Sequence, residues 1–224
     1  KRAISVEKAR IVKNIVTNKE TNMSVNLSKG QKISLEKEAG GALSQIKMGL
    51  GWDVGAAPQK SGGFLGGLFG GGGSAGGSID LDASCIMLDA NKQMVDAIWF
   101  GQLQSKDSSI QHTGDNRTGA GDGDDEVINV NLSRIPDHVQ ALVFTVNSFT
   151  GQTFATVNNA FCRLVNASNN SEVARYDLSA QGSHTALILA KIYRHNGEWK
   201  MHAIGETASG RTFHDLMPAI LPHV

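Results

Sequence analysis

Several features that mark specialised classes of protein are absent from this chain of 224 residues. It contains no apolar run of about eighteen residues, which a membrane-spanning helix needs, and residues 1–21 lack the apolar segment of a secretory signal. Cysteine is scarce: Cys85 and Cys162 stand far apart inside apolar runs, with no CxxC motif or zinc-binding spacing. We therefore expect buried free thiols and a cytoplasmic protein.

An excess of either charge is also missing, since 21 basic residues balance 21 acidic ones. A neutral body argues against a general nucleic-acid-binding domain. The charge is nevertheless uneven, because residues 1–20 hold six basic and two acidic residues, a local charge of +4. The spacing of Ile4, Ile11 and Ile15 predicts an amphipathic helical arm over residues 1–22. We expect this basic arm to pack on the main domain or on a copy of itself, with a membrane or partner contact as the alternative.

Residues 23–208 have the pattern of a β protein. Short alternating segments such as "SQIKMGLGWD" and "ALILAKIYRH" are separated by Asn, Gly, Ser and Asp clusters at intervals of roughly 8–12 residues. This spacing predicts an antiparallel β-sandwich of two sheets, in an all-β dominated fold with short N-terminal and C-terminal helices. The Lys29-Gly30 pair predicts the turn of a hairpin, and residues 209–224 predict a helix packed on the domain.

A glycine-rich insertion interrupts the strands. Residues 61–77 hold ten of the 26 glycines, and no Gly-Lys-Ser/Thr follows them to make a phosphate-binding loop. Four apolar side chains stand inside the insertion: Phe64, Leu65, Leu68 and Phe69. We expect the loop to cover an apolar patch on its own domain. The alternative makes these four side chains a contact for a partner or a membrane.

The stretch "HTGDNRTGAGDGDDE", residues 112–126, places five acidic residues among four glycines: Asp115, Asp122, Asp124, Asp125 and Glu126. Carboxylates held this close repel each other unless they are solvated or a cation lies between them. Calcium suits such a loop because it takes about six to eight oxygen ligands. An EF-hand is excluded, because Arg117, Gly119 and Ala120 occupy positions where that loop needs oxygen ligands or glycine.

Further acidic residues stand on either side of the insertion. Asp80 and Asp82 lie two apart on a predicted strand and therefore point the same way, while Leu81 faces the core. Asp53 ends the strand before the insertion, so Asp53 and Asp80 meet if the two strands are neighbours. These side chains and residues 115–126 would then form a Ca²⁺ site at one end of the sandwich.

A set of long motifs resembles the TerD family of bacterial tellurium-resistance and stress proteins. The motifs "GLGWD", "DLDAS", "HTGDNRTGAGDGDDE", "EVARYDLS" and "ALILAKIYRHNGEWKMHAIGE" occur in order between about Met23 and Glu206. The resemblance implies a β-sandwich of two sheets, calcium bound by acidic loops, and a role in tolerance of tellurite and other stresses. Carried over by motif, it implies these metal ligands: Asp80, Asp82, Asp115, Asn116, Asp122, Asp124, Asp125 and Glu126.

The combined prediction is a calcium-binding module without enzymatic activity, in which bound Ca²⁺ orders a surface for a protein or membrane partner. The resemblance implies partners among other stress-resistance proteins or a membrane-associated complex, with a peripheral position at the inner membrane as an alternative to the cytoplasm. A metal-dependent hydrolase remains an alternative function, because His112 stands beside Asp115. A calcium-dependent lectin-like domain is a further alternative. No nucleophile elbow or readable Ser-His-Asp arrangement supports an enzyme.

Overall fold

The computed structural model describes residues 24–54, 80–114, 123–178 and 181–224. Its strands are, in chain order, β1 (Val25–Asn26), β2 (Lys32–Ser34), β3 (Gln45–Val54), β4 (Leu81–Asp89), β5 (Met94–Ile98), β6 (Ile110–His112), β7 (Glu126–Asn131), β8 (Val139–Ser148), β9 (Val157–Asn166), β10 (Ser171–Asp177), β11 (Ala186–His195) and β12 (Glu198–Ala208). The helices are α1 (Leu35–Glu38) and α2 (Phe213–Ile220), with 3-10 turns at Leu132–Arg134, Phe154–Thr156 and Leu221–His223.

The strands form two six-stranded sheets. Sheet A has the order β1-β10-β9-β3-β7-β6, and sheet B has the order β2-β12-β11-β8-β4-β5. Neighbouring strands are antiparallel except for β1 and β10, which pair in parallel at an edge of sheet A. The predicted all-β sandwich of two sheets is confirmed.

The principal core lies between the two sheets, because alternate residues of each strand point inward. In β4 these inward residues include Leu81, Ala83 and Met87, whereas Ile86 and Leu88 face the other side of sheet B. That outer side is covered as well, so nearly every residue of β4 is buried. A strand buried on both faces has a continuous apolar run, which "ASCIML" shows.

Helix α2 covers the outer face of sheet B. Its buried residues Phe213, Leu216 and Ile220 pack in a second apolar cluster. The side chain of Asp215 accepts hydrogen bonds from the main-chain N–H groups of Arg211 and Thr212, at 2.9 and 3.1 Å. These bonds satisfy donors that the first helical turn leaves unpaired, so the chain turns into the helix at a defined point.

Two expectations about strand neighbours are wrong. The Lys29-Gly30 turn does not close a hairpin, because β1 pairs with β10 in sheet A and β2 pairs with β12 in sheet B. Strands β3 and β4 are not neighbours either, since they belong to different sheets. In both places the chain crosses between sheets, which a two-sheet fold allows and which local turn signals do not reveal.

In the part of the chain that the structure describes, no helix has the length and apolar character needed to cross a membrane. Cys85 and Cys162 are both buried free thiols, as expected from their apolar surroundings. Burial raises the pKa of both thiols, that of Cys162 to about 12. Both thiols are therefore held in the protonated, unreactive form.

Candidate functional site

The end of the acidic stretch is anchored on strand β3. The main-chain N–H of Asp125 donates to the carbonyl of Leu50 at 2.8 Å, and the N–H of Trp52 donates to Asp125 Oδ2 at 2.7 Å. Glu126 then opens β7 directly opposite Leu50. Asp53 lies at the far end of β3, where its Oδ2 accepts from Asn159 Nδ2 at 2.7 Å. We call Asp53, Asp124, Asp125 and Glu126 the acidic end.

Burial and neighbouring negative charge both disfavour the ionised form of the Asp125 carboxyl group. Burial is the largest cause that raises its pKa, and the carboxylates of Asp53, Glu126 and Asp124 raise it further. The hydrogen bond from Trp52 opposes these effects without cancelling them. Three carboxylates therefore lie close enough to disfavour a fourth negative charge, and a bound cation would reverse that penalty.

Asp124 points to the outer face of sheet A, where Arg163 of β9 holds it. Arg163 Nε donates to Asp124 Oδ1 at 2.7 Å, and Nη2 donates to Oδ2 at 3.0 Å. This bidentate pair raises the pKa of the Arg163 guanidinium. Gly49 leaves the space for it, because a Cβ atom there would lie 2.3 Å from the Asp124 carboxyl group.

Arg163 also contacts Glu172 on the neighbouring strand β10, and Glu172 in turn contacts Ser24. Arg163 Nη1 lies 3.4 Å from Glu172 Oε2 on β10, and Ser24 Oγ donates to Glu172 Oε1 at 2.6 Å. A groove of about 580 Å³ lies on this face, between Lys47 on β3 and Glu172. Strands β7, β9 and β10 are thus joined by one network of charged side chains.

Glu126 points the other way, into the interior. Its Oε2 accepts from the main-chain N–H of Ala83 on β4 at 2.7 Å and lies 3.2 Å from His112 Nε2. The N–H of Gly114 donates to His112 Nδ1 at 3.1 Å, which assigns the proton of the neutral ring to Nε2. The His112 and Glu126 side chains are 0% and 1% exposed. Glu126 therefore bridges the two sheets as a buried acceptor of two hydrogen bonds.

Asp82 lies on the outer face of sheet B. It stands opposite Asn147 of β8, and its neighbours Leu81 and Ala83 point into the core between the sheets. The alternation inferred from the sequence is present here, but it directs Asp82 away from sheet A. Asp80 immediately precedes β4. Strand β4 belongs to sheet B, so neither residue lies on a strand next to β3, and the structure does not gather Asp82 with the acidic end.

The structure brings together only part of the predicted ligand set. The acidic end comprises four of the predicted residues, and three of them contribute to the raised pKa of the fourth, Asp125. Asp115, Asn116 and Asp122 lie outside the described residues, as do the four apolar side chains Phe64, Leu65, Leu68 and Phe69. Within the described ranges, no three side chains of His, Cys, Asp or Glu are placed to hold a metal ion. The oxygen donors at the acidic end have the chemistry that Ca²⁺ prefers.

Sequence reasoning missed the residues that orient the acidic end. Arg163 is separated from Asp124 by 39 positions, and Ala83 from Glu126 by 43. The one available signal is that Arg163 interrupts an otherwise apolar strand in "NAFCRLVN". A cationic side chain at such a position favours an acidic partner on the same face of the sheet, but which residue is that partner depends on the strand order.

Comparison with known proteins gives similarity over most of the chain. Residues 23–218 match the model of the protein family described as "TerD domain". Tellurium resistance protein TerZ of Serratia marcescens is 51% identical over 200 residues, which cover 89% of this chain and 98% of that protein. Stress response protein SCP2 of Bacillus subtilis (strain 168) is 42% identical over 202 residues, with 87% and 98% coverage.

A solved structure has a similar fold. The crystal structure of a homologue of telluride resistance protein (TerD) from Streptomyces coelicolor A3(2) matches with a TM-score of 0.59 and 18% sequence identity. The match covers 79% of this chain and 96% of that one. At this identity the likeness concerns the fold alone, and it is consistent with the two-sheet sandwich described above.

Proposed function

This chain belongs to the TerD domain family, and from that premise we propose that it is a calcium-binding, non-enzymatic module of a bacterial tellurium-resistance or stress-response system. Relatives named for tellurium resistance and for stress response support the biological setting. The support for calcium comes from the donor chemistry at the acidic end and from the composition of residues 112–126.

The observation that carries the proposal is the crowding of carboxylates around Asp125. A half-buried carboxyl group with three carboxylate neighbours is unfavourable in the protein alone, and the raised pKa of Asp125 expresses that cost. A divalent cation would remove the cost and gain oxygen ligands from the same groups. Loop composition alone does not carry this argument, because a solvated loop could have the same acidic residues.

The described residues divide into ligands and supports. Asp125 and Asp53 would contribute oxygen ligands, together with Asp115, Asn116 and Asp122 from the stretch outside the described residues. Asp124 is held by Arg163, and Glu126 is held by Ala83 and His112. These two carboxylates position the beginning of β7 and add negative charge to the site. Calcium itself would supply positive charge that draws the acidic stretch together.

We propose that this ordering presents a surface to a protein partner, either another stress-resistance protein or a membrane-associated complex. Calcium bound only to the folded state adds stability of RT ln(1 + [Ca²⁺]/Kd), about 2.7 kcal/mol at a hundredfold excess over Kd. A gain of that size would offset repulsion among the acidic residues of the stretch 112–126. The cytoplasm, or the cytoplasmic side of the inner membrane, is the corresponding proposed location.

His112 offers no support for the hydrolase alternative. Its ring is buried, and both ring nitrogens contact the protein, one at Gly114 and the other at Glu126. A general base needs access to substrate or to a bound water. We therefore assign His112 a structural role and prefer a binding module to a hydrolase.

The proposal is tested by calorimetric titration of calcium into chelator-treated protein, with magnesium as the competing ion. We expect saturable binding to the parent chain and at least a tenfold loss of affinity in Asp125→Asn, because the amide is a neutral and weaker ligand than the carboxylate. The matched control is Asp137→Asn, because Asp137 is fully exposed and remote from the acidic end. Its affinity should equal that of the parent chain.

The difference in stability between Asp125→Asn and the parent chain should change sign when calcium is added. Without the ion, the amide still accepts from Trp52 and no longer repels its neighbours, so unfolding should require about 0.5–1 kcal/mol more after allowance for screening. With saturating calcium the variant should be less stable than the parent. No binding at millimolar calcium, or equal affinity of the parent chain and Asp125→Asn, would reject the proposal.

A further inference from the structure

Three basic side chains stand in one row across sheet B, on the face away from sheet A. Lys32 of β2 is directly opposite His202 of β12, and His202 is directly opposite Lys191 of β11. We call Lys32, His202 and Lys191 the cation row. Adjacent strands lie about 4.8 Å apart, so the row spans roughly 10 Å. With a lysine on either side of one imidazole, the row concentrates positive charge on a single face, so this arrangement needs a reason.

No carboxylate of the described residues forms an ion pair with the row. In the described ranges, Lys32 and Lys191 take part in none of the ion pairs. Both lysines have the basic residue His202 as their cross-strand neighbour. His202 Nδ1 is buried and has no hydrogen-bond partner among the described residues. Burial is the largest cause that lowers the pKa of His202, and together with the charges of Lys32, Lys191 and His223 it brings that pKa to about 4. Burial, Lys32 and Lys92 likewise lower the pKa of Lys191.

The C-terminal turn compensates for only a fraction of this charge. Lys191 Nζ donates to the carbonyl of His223, and Lys92 Nζ donates to that of Leu221 at 3.2 Å. The end of a helix carries about half an elementary negative charge, which is less than the charge of one lysine. Lys32 is exposed and makes no hydrogen bond or ion pair with any described residue. The excess of positive charge therefore remains at the surface.

We propose that the cation row binds a phosphate-type oxyanion, an anion with two or more negative charges and several acceptor oxygens. The two lysines flank the imidazole from the strands on either side of β12, and a neutral imidazole has one ring N–H as a further donor. An anion with four oxygens can accept from all three groups at once, which a halide cannot. Lys92 adds charge at the rim, beside the C-terminal turn.

The site is independent of the proposed calcium centre. It lies on the outer face of sheet B, whereas the acidic end is built on β3 and β7 of sheet A. Failure of one proposal therefore does not affect the other. The phosphate group could belong to a soluble molecule or to a lipid headgroup, since both present the same oxygens.

The test is titration of the full chain with inorganic phosphate in calcium-free buffer at constant ionic strength, followed by calorimetry and by the NMR signals of the His202 ring. We expect saturable binding and a shift of those signals. Lys32→Gln is the decisive variant, because the Lys32 side chain makes no hydrogen bond or ion pair with any described residue. It should lose about tenfold in affinity, the effect of one charge-assisted hydrogen bond, and its melting temperature without phosphate should be unchanged or higher.

The matched control is Lys47→Gln, which removes the same charge from the outer face of sheet A. Its phosphate affinity should equal that of the parent chain. Vesicles of phosphatidylcholine with and without phosphatidic acid then separate a lipid headgroup from a soluble oxyanion. Absence of saturable phosphate binding, or an equal loss of affinity in Lys32→Gln and Lys47→Gln, would overturn the proposal.

Discussion

Removing the His112 side chain tests whether the buried bridge between the two sheets stabilises the fold. In His112→Ala, Glu126 Oε2 keeps the hydrogen bond from Ala83 and loses the one from the imidazole. The carboxylate stays buried, with an exposed fraction of 1%. Removing the neutral donor of a buried hydrogen bond costs about 1–3 kcal/mol. We take the upper value, about 3 kcal/mol, because the loss of the fully buried imidazole also leaves a cavity.

For a protein of this size, 1 kcal/mol changes the melting temperature by about 2–4 °C, so His112→Ala should melt about 6–12 °C lower. Urea denaturation should give the same loss in the free energy of unfolding, with the m-value unchanged. His195→Ala is the matched control, since His195 is exposed on β11 and should change stability by less than about 0.5 kcal/mol. A loss below about 1 kcal/mol in His112→Ala would refute the interpretation of His112 as a structural donor to Glu126.

Further predictions concern the outer faces of the two sheets. Gly49→Ala should destabilise the fold by about 1–3 kcal/mol in urea melts, because the new methyl group must displace the Asp124 carboxyl group. Arg163→Gln removes the bidentate partner of that carboxyl group, and its effect combined with Gly49→Ala should fall short of additivity by about 1 kcal/mol; strict additivity would contradict the shared contact. His202 has a folded-state pKa of about 4, so between the unfolded-state value near 6.5 and pH 4 only the unfolded chain binds the proton. Stability is therefore full above pH 6.5 and should fall by about 1–2 kcal/mol toward pH 4, after discount for partial exposure, and His202→Asn should flatten this part of the pH profile.

Much of the fold follows from local patterns. Alternating apolar residues predict strands because successive side chains of a strand point to opposite faces. The continuous apolar run of β4 indicates burial on both faces, and "RTFHDLMPAIL" has the spacing of the helix that covers it. The assignment of strands to sheets is different. The turn at Lys29-Gly30 looks like a hairpin turn, yet it leads the chain from sheet A to sheet B.

In the candidate site, too, local sequence predicts some features and the strand order decides others. The acidic composition of residues 112–126 predicts a cation-binding loop, because like charges at short range need a compensating charge. Composition does not predict that Arg163 holds Asp124, or that Ala83 and His112 hold Glu126. Those contacts join residues that are remote in the sequence. They depend on which strands are neighbours and on which face each side chain occupies.

The sequence by itself therefore determined the class of fold, the family and the chemistry of the acidic stretch, because strand periodicity and charge density are properties of short segments. Only the tertiary structure decided that Asp82 and Asp124 point to the outer faces of different sheets, and that Lys32, His202 and Lys191 form one row. Strand order and register are non-local, and a shift of one residue in register would move each side chain to the opposite face.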